Sequence, residues 1–341
     1  MKPEDDLQAT IADVTKPGKG ILAADESLPT ISKRFKAVGI DCTDESRRAY
    51  RSLLITTPGA EQFLSGVILF EETLGQSAED GTPLPQVLSR RGIMPGIKVD
   101  KGTTALPGAP GDLITQGLDG LAERLKAYKS QGMRFAKWRE VYGITEQNPT
   151  SLGINANAEV LARYAALCQS EGIVPIVEPE VLIDGEHSIE RCYEVTEAVL
   201  HAVFHALYRH QVILEYIVLK PNMVLPGKER LPKASSEEVA RATLAVLRRT
   251  VPAAVPSINF LSGGQSSVDA TAHLNAMNVM APNAPWVLSF SYARALQDDA
   301  MRTWAGRKEN VAAAQSAFHR RAKMNSLARH GKWNAALEKA A

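Results

Sequence analysis

Short apolar runs rich in β-branched residues alternate along the chain with longer stretches whose apolar positions recur every three or four residues. The runs read ILAADE (21–26), GVILF (66–70), GIKVD (96–100), RFAKW (134–138), IVPIVEPE (173–180), YIVLKP (216–221), INFLSGG (258–264) and WVLSFSY (286–292). Between them lie amphipathic segments such as LAERLKAYKSQG (121–132), NAEVLARYAALCQSEG (157–172) and EEVARATLAVLRRT (237–250), with the charged faces and terminal glycines of helices. Strands that are apolar almost throughout and alternate with helices predict a parallel sheet, and eight of them predict a closed (β/α)8 TIM barrel. A doubly wound open sheet is the rival, but the GxGxxG fingerprint of a dinucleotide fold is absent. No linker or compositional break divides the chain, so residues 1–341 read as a single domain with a long closing helix at about 308–330.

Composition narrows the class. The 341 residues are 45% hydrophobic and 23% charged with a net charge of +1, ordinary for a globular enzyme, and no basic block points to nucleic acid or an anionic membrane. No apolar stretch approaches a bilayer span, and the N-terminal MKPEDDLQAT is too acidic for a targeting segment. Cys42, Cys168 and Cys192 are too few and scattered for a disulfide framework or a cysteine zinc site, which leaves a cytoplasmic protein with reduced thiols as the expectation.

Barrel chemistry sits at the C-terminal ends of the strands. Read in order, those ends supply Asp25, Lys98, Lys137 with Arg139, Glu178 with Glu180, Lys220, Ser262, and Ser291 with Arg294. Strand alternation puts Lys137 and Arg139 on one face, and Glu178 and Glu180 likewise. One charge at a strand end is ordinary solvation; ionisable groups on six of the eight ends, three of them lysine, point to a functional cluster. FLSGGQSS (260–267) leads from a hydroxyl and two glycines into a helix, and SFSYARAL (289–296) adds Ser291 and Arg294, together a cradle for phosphate.

A lysine in a dry site beside a second cation, as Lys220 would be beside Lys137, is disfavoured as ammonium, and a free amine can attack a ketone to form a Schiff base. The protonated imine then takes electrons from a neighbouring carbon–carbon bond while a carboxylate moves protons, a task for Asp25, Glu178 or Glu180. The plain alternative is a lysine that only neutralises Glu178 or Glu180 across the barrel.

At these residues the sequence resembles the class I fructose-bisphosphate aldolases over nearly its whole length. The segments are GKGILAADES (18–27), GVILFEETL (66–74), GIKVDKG (96–102), FAKWR (135–139), IVPIVEPE (173–180), LKPNMV (219–224), FLSGGQS (260–266) and SFSYARAL (289–296). The resemblance implies a (β/α)8 barrel, usually a homotetramer, that cleaves fructose 1,6-bisphosphate reversibly to dihydroxyacetone phosphate and glyceraldehyde 3-phosphate in glycolysis and gluconeogenesis. It implies no metal and no cofactor. Lys220 matches the Schiff-base lysine, Glu178 the proton shuttle of imine formation, Asp25 the acceptor of the C4 hydroxyl proton, and Lys137 the cation supporting the imine, with Glu180 orienting Lys137. For the 1-phosphate it implies Ser262, Gly263, Gly264, Arg294 and Arg34 with Ser291 nearby; for the 6-phosphate, Lys98 and Arg139 with Ser27 and Thr30 as helpers.

Three departures stand out. Leu28–Pro29 replaces the glycine-containing pair that follows this serine in relatives, which stiffens the backbone beside Ser27 and Thr30. Ala293 stands where animal members have glycine, and the chain ends KWNAALEKAA without the terminal tyrosine of many relatives. Other readings have weaker support. His201 and His205 share a helix face but lack the zinc-protease pattern, a pyridoxal-phosphate enzyme would also pair a lysine with a phosphate cradle, and an aldolase-like scaffold or a related ketose-phosphate aldolase would keep the same frame.

Overall fold

The computed structural model describes residues 3–339. Its strands are β1 (Gly20–Ala24), β2 (Leu64–Leu69), β3 (Met94–Lys98), the pair β4 (Thr103–Ala105) and β5 (Leu113–Thr115), then β6 (Phe135–Tyr142), β7 (Val174–Val181), β8 (Val218–Leu219), β9 (Ser257–Phe260) and β10 (Val287–Tyr292). Eight of them close a barrel in the order β1-β10-β9-β8-β7-β6-β3-β2, every pairing parallel. The predicted (β/α)8 barrel is therefore the fold, as a single domain.

The helices are α1 (Pro3–Val14), α2 (Leu28–Ala37), α3 (Asp44–Thr56), α4 (Leu84–Arg90), α5 (Leu121–Ser130) and α6 (Ser151–Ser170). They continue with α7 (Ile189–Arg209), α8 (Ser236–Thr250), α9 (Ser267–Met280), α10 (Arg294–Trp304), α11 (Val311–Arg329) and α12 (Ala336–Lys339). Hydroxyls of Thr150, Ser188, Ser235 and Ser266 accept the otherwise orphaned N–H groups at the starts of α6 to α9.

Alternation along each strand sorts side chains into two cores. Outward residues such as Leu22, Val67, Ile97, Trp138, Val177 and Leu219 join the large core beneath the helices. Inward residues Ile21, Ile68, Met94, Phe135, Val174, Ile176 and Val218 form a smaller core that Leu7 and Val14 of α1 close off. Phe135 fills the barrel because its neighbours are glycines: a Cβ on Gly96 would lie 2.0 Å from its ring, and one on Gly66 2.7 Å. The charged inward side chains lie above this largely apolar floor, in which the inward Ser257, Asn259 and Ser289 are buried and hydrogen-bonded.

Several boundaries differ from the sequence reading. β6 runs on to Tyr142 because Glu140 is buried on its outer face. β8 is only two residues long, since Leu214–Tyr216 is a 3-10 turn and Pro221 has no N–H to continue the ladder. The β4–β5 hairpin, short and mostly exposed, carries too little apolar pattern to be foreseen.

Candidate active site

Register decides which strand-end charges meet. Lys98 pairs with Lys137 across β3 and β6, and Arg139 with Glu178 across β6 and β7. Val177 pairs with Leu219, so Lys220, whose N–H donates to the Val177 carbonyl at 2.8 Å, comes to lie beside Glu178. Asp25 follows β1 directly. The sequence thus delivers these groups, one barrel layer above Phe135, into a common space.

They form one chain of charges. Lys220 Nζ lies 3.2 Å from Glu178 Oε1, and Glu178 Oε2 lies 3.4 Å from Lys137 Nζ. Lys137 Nζ is 2.8 Å from Asp25 Oδ2. Lys220, Lys137, Glu178 and Asp25 are all buried, none more than 8% exposed. Burial pushes the Asp25 carboxyl upward, but Lys137, Lys220 and Lys98 outweigh it and hold the group below its ordinary value, an ionised base. Burial alone would strip Lys137 of its proton; Asp25, Glu178 and Asp100 reverse that and keep its ammonium charged. Glu178 therefore stands between two lysines and can exchange a proton with Lys220 through Oε1 while its other oxygen faces a fixed cation.

One expected contact is replaced. Glu180 does not orient Lys137; its Oε2 accepts from Arg139 Nε. The reason is register: Ile176, Glu178 and Glu180 stand opposite Lys137, Arg139 and Val141, so Glu180 is four residues, about 13 Å along the strand, above the level of Lys137. Arg139 is only one inward position away. Burial opposes the Arg139 charge, but Glu180 and Glu178 more than restore it.

The residues expected at the 1-phosphate gather at the ends of β9 and β10. Ser262, Gly263 and Gly264 form a turn ahead of α9, with both glycines at positive φ (57° and 98°). A Cβ on Gly264 would come within 3.3 Å of Arg294 Nη2, so the guanidinium lies against the glycine backbone where only glycine leaves room. Ser291 is buried and its Oγ has no hydrogen-bond partner. Ala293 has φ −97°, outside the left-handed region that favours glycine. Gln265 Nε2 donates to the Ser262 carbonyl at 2.9 Å, and His273, 2.6 Å from Gln265 Oε1, braces it from α9.

Arg34 is already committed. It reaches from α2 to Glu26, to Asp298 Oδ1 at 3.0 Å and to Gln297 Oε1 at 3.1 Å, one helical turn beyond Arg294. On the other side, Lys98 Nζ donates to the Asp100 carbonyl at 2.8 Å and to its carboxylate. Ser27 and Thr30 share a hydrogen bond of 3.1 Å at the start of α2, where Pro29 sits in the first turn, whose N–H groups lack helical acceptors anyway. The Leu28–Pro29 departure is thus absorbed by a helix start.

The sequence reading missed Asp100. It is buried, it holds Lys98, and its Oδ2 lies 3.9 Å from Lys137 Nζ. The signal was present: Lys98 and Asp100 are two apart and share the inner face, as Lys137 and Arg139 do. His201 and His205 are exposed on α7, and among the described residues no three His, Cys, Asp or Glu side chains are grouped to hold a metal ion. Among the described residues no helix is long and apolar enough to cross a membrane.

Known proteins resemble this chain throughout. A family model described as fructose-bisphosphate aldolase class-I matches residues 6–341. A probable fructose-bisphosphate aldolase class 1 of Xanthomonas campestris is 54% identical over 96% of this chain and 98% of its own length. Fructose-bisphosphate aldolase 6, cytosolic, of Arabidopsis thaliana is 55% identical over 96% of this chain and 91% of its own. A solved structure of fructose-bisphosphate aldolase from Plasmodium falciparum superposes with a TM-score of 0.95 at 50% identity, covering 98% of this chain and 96% of that one.

Proposed function

Since the chain belongs to the class I fructose-bisphosphate aldolase family, we propose that Lys220 is its Schiff-base lysine and that Glu178, Asp25 and Lys137 carry the proton and charge movements around it. The activity is that of a metal-independent carbon–carbon lyase, the aldol cleavage of fructose 1,6-bisphosphate in glycolysis. The observation that carries the residue assignment is the buried sequence Lys220–Glu178–Lys137–Asp25, each link 3.4 Å or shorter.

Lys220 Nζ attacks the C2 ketone, and Glu178 removes a proton from the amine and returns it to the departing hydroxyl as water leaves. Asp25, held ionised by its cationic neighbours, takes the C4 hydroxyl proton. The C3–C4 electron pair enters the iminium, leaving an enamine on Lys220 and an aldehyde. Lys137 keeps its charge throughout and steadies the anionic groups on either side. Glu178, the acid next to the nitrogen, or a water then protonates the enamine.

The 1-phosphate would bind the Ser262–Gly264 backbone with Arg294, Ser291 and Arg34. The 6-phosphate would bind Lys98 and Arg139 with help from Ser27 and Thr30. Glu180 grips Arg139 at Nε while the side chain stays 42% exposed, so its terminal nitrogens remain for an anion. The two phosphates fix the sugar's position, and with it the approach of C2 to Lys220. Relatives named as cytosolic support a cytoplasmic location, and the family's habit supports a homotetramer.

Borohydride with dihydroxyacetone phosphate tests the assignment. Inactivation with the adduct mapped to Lys220 is expected, and Lys220→Arg should abolish turnover, because a guanidinium stays protonated and cannot form an imine. An adduct on Lys98 or Lys137 would refute it.

A further inference from the structure

Three carboxylates surround the Lys137 ammonium: Asp25 at 2.8 Å, Glu178 at 3.4 Å and Asp100 at 3.9 Å. Their commitments differ. Glu178 shares its other oxygen with Lys220. Asp25 is the group assigned above to take up a proton. Asp100 is fixed in place by Lys98, which donates to its Oδ1 at 2.5 Å and to its own backbone carbonyl at 2.8 Å. Its Oδ2 is buried, accepts no hydrogen bond and faces Lys137. A buried carboxylate oxygen without a donor needs an explanation.

We infer that Asp100 is a positioning residue for the cleavage step, receiving the Lys137 ammonium as Asp25 becomes protonated. The inference rests on the reading of Lys220 and Asp25 given above. In that step the C4 O–H bond breaks and its proton bonds to the Asp25 carboxylate. The oxygen's electron pair forms the aldehyde C=O, and the C3–C4 pair moves into the C2–N iminium, which becomes a neutral enamine. Asp25 goes from −1 to 0 and the Lys220 nitrogen from +1 to 0, so total charge in the pocket is unchanged. Lys137, however, loses its nearest counter-ion, and a buried ammonium left without one is costly.

Glu178 Oε2 is likewise buried without a hydrogen bond and already lies 3.4 Å from Lys137 Nζ, but its carboxylate exchanges protons with Lys220 in the reading above, so Glu178 does not supply a constant charge. Asp100 can receive the Lys137 ammonium, because Nζ needs to move only about 1 Å to reach hydrogen-bond distance of Oδ2. Lys98 keeps that oxygen aimed, since it holds the opposite side of the carboxylate. Asp100 therefore acts after imine formation and before aldehyde release, on Lys137 rather than on the substrate.

The test is Asp100→Asn, which keeps the shape and removes the charge. Cleavage kcat should fall roughly 10- to 100-fold, the effect of losing an opposite charge at this range. The factor should be the same for fructose 1,6-bisphosphate and fructose 1-phosphate, because Lys137 is needed with both. Borohydride trapping of dihydroxyacetone phosphate on Lys220, which needs no protonated Asp25, should stay within about twofold of the parent rate; such trapping also shows that the variant is folded. Asp100→Glu, which restores the charge, should recover part of kcat. A loss confined to KM for the bisphosphate would mean that Asp100 serves only Lys98, and equal loss of trapping and cleavage would mean that it acts before the cleavage step; either overturns the inference. Trapping on Lys220 in the parent with undiminished kcat in Asp100→Asn overturns the Asp100 role alone, whereas a parent adduct on another lysine overturns the Lys220 reading with it.

Discussion

Replacing Glu140 with glutamine should flatten the dependence of stability on pH. Glu140 lies on the outer face of β6, away from the barrel interior, and is fully buried. Trp138 Nε1 donates to its Oε1 at 2.7 Å, while Oε2 has no hydrogen-bond partner and neither does the nearby Tyr142 hydroxyl. Burial pushes the carboxyl up to about 8, against the opposing effects of Thr115 and Trp138 and with the charge of Asp100 adding to it. A folded-state value above the unfolded one means that the stabilisation is complete below the ordinary glutamate range and is lost as pH rises toward and through 8. Each unit is worth about 1.36 kcal/mol, so between pH 6 and pH 8 the folded state should lose about 2.5 kcal/mol. With an unfolding entropy of about 2.1 cal/mol/K per residue, a chain of this size should melt about 3–4 °C lower at pH 8 than at pH 6 from this group alone. Glutamine keeps an acceptor for Trp138 and cannot ionise, so the variant should lack that loss. Thermal unfolding of both proteins at pH 6, 7 and 8 isolates the effect, because every other titrating group, including His273, is common to the pair. Parallel melting curves against pH would refute the reasoning.

Arg294→Ala should raise KM roughly tenfold or more for both fructose 1,6-bisphosphate and fructose 1-phosphate, as expected for loss of a charge-assisted hydrogen bond, whereas Lys98→Met should penalise the bisphosphate selectively. Equal losses on both substrates in the Lys98 variant would mean that the phosphate ends are exchanged. Prolonged EDTA treatment should leave activity intact, since the iminium serves as the electron sink; activity lost and then restored by zinc would contradict that. Deleting residues 334–341, of which Ala340 and Ala341 lie outside the described residues, should change kcat by less than about tenfold, or about 1.4 kcal/mol in barrier, with C3 tritium exchange equally unaffected. The same deletion should lower the melting temperature, because Arg321, which Glu338 holds through two hydrogen bonds of 2.8 Å, would be left a buried cation with Asp299 at 3.6 Å and the Thr271 hydroxyl at 3.4 Å as its remaining partners.

The barrel was legible because a strand buried on both faces must be apolar on both, and eight such runs have few other uses. The inner charged positions were legible for a related reason: charged side chains of period two at the strand ends lie above a floor that is largely apolar. What the sequence could not convey was who pairs with whom. Glu180 and Lys137 are both inward residues of adjacent strands, and only the ladder register, with Glu180 opposite Val141, shows them two layers apart. Asp100 was overlooked because an aspartate after an apolar run reads as the start of a loop, and Glu140 because a charge reads as the end of a strand.

That same gap bears on how the site works. Counted from sequence, Lys98, Arg139 and Arg34 are cations waiting for phosphate. In the folded chain each already has an acid: Asp100, Glu180, and Glu26 with Asp298. These pairs keep several buried cations compatible with a stable barrel, since an unpaired buried charge would cost more than most folds can spare. They also place each cation before substrate arrives, so that binding reorients few side chains. Of the site's cations among the described residues, Lys137 is the one held by carboxylates on three sides, and of those three Asp25 and Glu178 are assigned to exchange protons while Asp100 is not. A lysine that must stay charged while its nearest counter-ion is neutralised requires an acid that takes no part in the proton transfers and has an oxygen free to accept from it. Asp100 is the residue in that position.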